Sequence, residues 1–143
     1  MPELALKALM RNFAVACIGG EIVGYCQFSN GVPRFGLECG FIGQLYVHPD
    51  HCGKGIGTRL FTAVRSAFRL RGRGNVVLTC LAKNRRTRTF YERHGGIEFL
   101  GELFGPVGSV IPIVYYGFGP GIESQWAEIT GEADKPIAER HLL

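Results

Sequence analysis

A chain of 143 residues with net charge +4, 46% hydrophobic and 20% charged residues has the size and balance of one globular domain with a real core. No apolar run approaches a membrane span, and Met1-Pro2-Glu3 lacks the basic start and apolar stretch of a signal peptide, so the cytoplasm is the expected location and no membrane partner is expected. The charge is too modest to predict nucleic-acid binding.

Residues 2–11 read as a short amphipathic helix, with Leu4 and Ala8 on one side. Asn12 to Ile18 reads as a strand, Gly19-Gly20 as a two-residue hairpin turn, and Glu21 to Ser29 as the returning strand. Alternation on that strand assigns Ile22, Gly24, Cys26 and Phe28 to one face and Val23, Tyr25 and Gln27 to the other. After a loop over Asn30 to Gly36, Leu37 to Val47 forms a long strand. Gly40 and Gly43 inside it mark a bulge or a close backbone approach.

The strand runs into the most informative stretch, Leu45-Tyr46-Val47-His48-Pro49-Asp50-His51-Cys52-Gly53-Lys54-Gly55-Ile56-Gly57-Thr58. Pro49 and Asp50 end the strand, and alternating glycines let the backbone bend and approach a ligand closely. From Ile56 the pattern becomes helical over about residues 55–71, with Ile56, Leu60, Ala63, Val64, Ala67 and Phe68 on one stripe. The first turn of such a helix has free N–H groups and partial positive charge, and glycine leaves room for an anion, so this reads as a main-chain phosphate cradle, the alternative being a connector that is glycine-rich only for its turn. The P-loop and dinucleotide patterns are both absent: Gly53-x-Gly55-x-Gly57 has the wrong spacing for either.

Gly72 and Gly74 end the helix, and Asn75 to Ala82, apolar on both faces, reads as a buried central strand parallel to the one before the helix. A second helix spans Arg85 to His94 and is closed by Gly95-Gly96. Ile97 to Phe104 and Val110 to Phe118 form a final antiparallel pair. Residues 120–143 read as a C-terminal tail, helical around Ser124 to Ile129, beyond a domain of residues 1–119. The five cysteines, at 17, 26, 39, 52 and 80, are odd in number and form no CxxC. Neither a disulfide framework nor a metal site is expected, because no second ligand cluster accompanies His48, His51 and Cys52. The basic run Lys83 to Arg88 reads either as a solvated helix end or as the complement of an anionic cofactor.

The cradle resembles motif A of the GNAT superfamily of acyl-CoA N-acyltransferases, Q/R-x-x-G-x-G/A after a strand ending in L-Y-V-x-P. Here it falls on Cys52-Gly53-Lys54-Gly55-Ile56-Gly57, with Cys52 in place of the usual Gln or Arg. A second stretch, Asn84 with Phe90-Tyr91-Glu92-Arg93-x-Gly95, resembles the N-x-x-A-x-x-F-Y-E-K/R-x-G signature of the same superfamily. Together the resemblance covers about residues 5–118.

The resemblance implies an α/β (α+β) fold: a mixed, mostly antiparallel sheet with a central splayed parallel pair and helices on both faces. It implies an N-acetyltransferase that moves the acetyl group of acetyl-CoA to a primary amine in a ternary complex, on a small molecule before a protein. Pantetheine would lie along Leu45, Tyr46 and Val47, and the pyrophosphate on Cys52, Gly53, Lys54, Gly55, Ile56, Gly57 and Thr58. Asn84 would bind the cofactor arm, and Tyr91 would protonate the leaving thiolate; read from residues alone, Tyr91 is a core aromatic beside Phe90. The family's usual glutamate base falls on Phe41, so Glu38 and Gln44 are the nearby substitutes, Glu38 being open between base and solvated strand-edge charge; a base acting through water, or no dedicated base, is the alternative. The family's first strand and helix have no counterpart before residue 2, which predicts an open sheet edge covered by residues 120–143 or by a second protomer. The alternatives are a non-catalytic acyl-CoA-binding sensor or partner subunit and a different nucleotide-binding α/β protein.

Overall fold

The computed structural model describes residues 3–9, 11–31, 39–104 and 110–130. Its single sheet takes strands β1 (Leu4–Leu9), β2 (Phe13–Ile18), β3 (Glu21–Asn30), β4 (Gly40–Val47), β5 (Val76–Leu81), β6 (Ile97–Phe104) and β7 (Val110–Phe118). They lie in the order β1-β2-β3-β4-β5-β7-β6. All neighbours are antiparallel except β4 and β5, which are parallel and joined by helix α1 (Ile56–Leu70). Helix α2 (Arg85–Arg93) links β5 to β6, and α3 (Ile122–Thr130) follows β7.

The alternation along β5 shows why helices lie on both faces. Val76 and Leu78 join Ile56, Leu60, Phe61, Val64, Phe68 and Tyr91 in the main core, under α1 and α2. Val77 points the other way, into a smaller core with Cys39, Phe99 and Ile122, the first residue of α3. The α1 stripe buries Ile56, Leu60, Val64 and Phe68 as its periodicity predicts, and Phe61 as well, which the stripe omits.

Three sequence expectations are corrected. Residues 2–11 do not form a helix: Leu4–Leu9 is the edge strand β1, paired antiparallel with β2. Leu4 and Leu6 pack against the main core while Ala5 and Lys7 are exposed, a period of two that serves the sheet better than one short helical turn. On β3, Val23 is buried and Ile22 is 57% exposed, the reverse of the expected faces. A register shift between Ala16 and Cys17 leaves Val23 as an extra residue there, and such a bulge exchanges faces. Finally, residues 122–130 do not cover the open sheet edge. They dock through buried Ile122 and Ala127, with Ile122 in the smaller core beside Val77 and Phe99, away from β1. Residues 131–143 lie outside the described residues. No helix among the described residues is long and apolar enough to cross a membrane.

Candidate active site

The parallel pair is hydrogen-bonded only at its start. Gly40 is paired with Val76, Phe41 with Val77 and Ile42 with Leu78; β4 then continues to Val47 without β5, and β5 continues to Leu81 paired with β7. The cause is local. Gly43 is an extra residue on β4, between the Ile42–Phe28 and Gln44–Gln27 pairs, and a bulge bends the strand that carries it. The strands therefore part, opening a V whose β4 wall is Leu45, Tyr46 and Val47.

At the mouth of the V the chain turns through Pro49–His51, a single 3-10 turn, into the glycines. Gly53 and Gly55 have φ of 80° and 79°, a left-handed conformation that side-chain-bearing residues resist, and a Cβ on either would meet nothing within 4 Å. Glycine is thus required by the backbone, and the space above it is open. Gly55 is the N-cap of α1 and makes no side-chain cap, so no capping side chain occupies the N–H groups of Ile56, Gly57 and Thr58. The Cys52 thiol is turned back toward the Val47 and His48 carbonyls, at 3.7 and 3.6 Å, and Lys54 is exposed. A cradle of this kind fits a pyrophosphate.

Tyr91 projects from α2 to the inner end of the V. It is 4% exposed, with the rings of Phe61, Phe90, Tyr116 and Phe118 5.4 to 6.3 Å away. Burial pushes its hydroxyl well above the ordinary phenol range, and the thiols of Cys26 on β3 and Cys80 on β5 add to the shift. Those two neighbours bracket the gap: Cys26 is paired with Leu45, and Cys80 lies beyond the last β4–β5 pair. Asn84 is the exposed N-cap of α2, and its side-chain oxygen accepts from the Thr87 N–H at 3.2 Å.

Glu38 lies outside the described residues, as do residues 32–36 of the loop after β3 and residues 105–109. Phe41 is half-buried against the smaller core beside Cys39 and Ile122. The sequence reading missed His94, whose Nε2 lies 3.3 Å from the Thr58 hydroxyl and ties the end of α2 to the first turn of α1. It also missed Phe61, the ring that α2 rests on; its spacings of three from Val64 and seven from Phe68 were the available signal.

A splayed parallel pair, an anion cradle at its mouth and a protonated phenol at its inner end define a class: an acyl-CoA-binding α+β fold. Residues 3–96 match the family described as acetyltransferase (GNAT) family, and the chain belongs to that family. The family's acetyl donor is acetyl-CoA.

Among solved structures, an assigned streptothricin acetyltransferase from Bacillus anthracis strain Ames, in complex with acetyl coenzyme A, superposes with a TM-score of 0.64 at 17% identity, covering 76% of this chain and 61% of that one. The yncA protein of Salmonella typhimurium, solved with acetyl-CoA, gives 0.60 at 20% identity, covering 75% and 63%. At these identities the likeness is one of fold. Among curated proteins, mycothiol acetyltransferase from Amycolatopsis mediterranei (strain U-32) is 38% identical over 50 residues, 35% of this chain. The chain spans 16% of that relative's length.

Proposed function

We propose that this chain is an N-acetyltransferase that moves the acetyl group of acetyl-CoA to a primary amine by direct attack. The observation that carries the reading is the V between β4 and β5, open from Ile42–Leu78 onward, with the glycine cradle at its mouth and the Tyr91 hydroxyl at its inner end. The main chain of Leu45 to Val47 holds the pantetheine arm, and the N–H groups of Gly53 to Thr58 hold the pyrophosphate. The amide of Asn84 donates to the arm. In the transfer a C–N bond forms, the C–S bond breaks, the amine loses a proton and coenzyme A leaves as the thiol. A main-chain N–H at Leu45 or Tyr46 holds the charge that develops on the carbonyl oxygen. Tyr91, which holds its proton across the working pH range, gives it to the departing sulfur and recovers one through water from the proton that the amine releases.

The acceptor is proposed as a small-molecule amine before a protein one, supported by relatives named for compounds. In the described sheet β1 is an edge strand, and its outer edge is proposed to pair with a second protomer. A second reading, a non-catalytic acyl-CoA sensor or partner subunit, draws on Phe41 and Cys52, which occupy positions where the family carries a base and a polar phosphate contact.

The test is thiol release from acetyl-CoA with a panel of primary amines, for the wild type and Tyr91→Phe. Amine-dependent release that falls about a hundredfold in the variant supports the enzyme. Binding of acetyl-CoA with no release on any amine supports the sensor.

A further inference from the structure

We infer that Tyr116, held by Arg88 and Glu92, is a positioning residue that sets where Tyr91 stands in the cleft; the inference rests on the reading above. Tyr116 lies on β7 and is wholly buried. Its hydroxyl accepts from Arg88 Nε at 3.2 Å and donates to Glu92 Oε1 at 2.9 Å. Arg88 and Glu92 are four residues apart on α2, so one face of the helix grips one oxygen atom from two sides. The same guanidinium donates through Nη1 to the Ala82 carbonyl at 2.9 Å, just past the end of β5, and through Nη2 to Glu98 on β6. One arginine thus ties α2 to three neighbouring strands.

Tyr91 belongs to the helical turn between those two grips, and its ring lies 5.7 Å from that of Tyr116. The other neighbours of Tyr91 are chiefly rings, whose packing is only weakly directional. Hydrogen bonds are directional, so the clasp fixes the rotation and seat of α2. Burial pushes the Tyr116 hydroxyl up to about 12, so it keeps the proton it donates to Glu92 throughout the working pH range. A proton donor displaced by a fraction of an ångström loses much of its effect on rate without any change in what is bound.

Tyr116→Phe keeps the ring and deletes only the hydroxyl. The expected result is an acetyl-CoA KM within about twofold of wild type and a kcat lowered about tenfold or more. In a Tyr91→Phe background, Tyr116→Phe adds no further loss, because the group it positions is gone. Glu92→Ala, which removes the acceptor from an exposed position on α2, shows the same split and the same dependence on Tyr91, with folding checked by its urea midpoint. Equal losses in both backgrounds, or a raised KM with unchanged kcat, would overturn the inference.

A wild type without turnover on any amine refutes the enzyme reading instead. The clasp is then read by NMR of ring-labelled tyrosine: the Tyr91 signal, assigned by its loss in Tyr91→Phe, must move in Tyr116→Phe while those of Tyr25 and Tyr46 stay. An unmoved Tyr91 signal overturns it.

Discussion

Ile42 and Leu78 form the last pair between the two parallel strands, and the bulge at Gly43 begins at the next residue. The order matters. Three pairs anchor β4 to β5, and the bulge then turns β4 away, so the cleft has a rigid floor and open walls. Deleting Gly43 removes the extra residue without changing which β3 residue faces which on either side of it. The account predicts a protein that still unfolds cooperatively but binds acetyl-CoA about tenfold or more weakly, the change in Kd that a narrowed cleft would give. An unchanged Kd would mean that the bulge does not open the site.

The cradle glycines are required for their backbone conformation, and this separates two effects of one substitution. Gly55→Ala forces a side chain into a left-handed conformation and should cost roughly 1–2 kcal/mol of stability. Gly20→Ala is the control. Its φ is 83°, with nothing within 4 Å of the added Cβ, in the turn between β2 and β3. Both variants should lose similar stability in urea titrations. Only Gly55→Ala should also weaken acetyl-CoA binding, by about tenfold, since it disturbs the first N–H groups of α1. Equal affinities in the two would detach the cradle from the ligand.

Stability should fall at alkaline pH, for a reason that lies in the core. Burial pushes the Cys26 thiol from 9.0 up to about 12 and raises the Tyr91 hydroxyl as well. Above pH 9 the unfolded chain releases a thiol proton that the folded chain retains, so the folded state becomes less favoured as pH rises and is unaffected below that range. For Cys26 the loss is roughly 1.4 kcal/mol per pH unit across the window from about 9 to about 12. The urea midpoint should be flat from pH 7 to 8.5 and drop above 9. Cys26→Ala should start lower but decline less steeply between pH 9 and 10; parallel declines in the two proteins would contradict the assignment.

Much of the fold is legible in the chain because its signals are local. The glycines from 53 to 57 mark the turn, the stripe from Ile56 to Phe68 marks α1, and the doubly apolar Val76 to Leu78 marks the central strand. Gly43 marks the bulge and Gly40 the close approach, since a Cβ there would lie 2.6 Å from the Phe68 ring.

What was illegible depends on distant partners. The strand Leu4–Leu9 exists because β2 offers an edge to pair with, and six residues with three leucines fit either period. The inverted faces of Ile22 and Val23 come from a register shift that no single strand reveals. The Arg88–Tyr116–Glu92 clasp joins residues up to 28 apart on elements whose packing only the folded sheet defines. Tyr91 and Glu92 stood out by their motif, whereas Arg88 and Tyr116, which complete the clasp, belong to none.

On the reading proposed above, acetyl-CoA binds in the V with its pyrophosphate on the cradle. Calorimetric titration of the purified protein with acetyl-CoA, beside an identical titration with ADP, tests it most directly. The expected result is one site per chain with a Kd on the order of micromolar, corresponding to about 8 kcal/mol, and far weaker heat from ADP, which engages the cradle but not the wall from Leu45 to Val47. Equal binding of the two ligands, or no binding of acetyl-CoA, would contradict it.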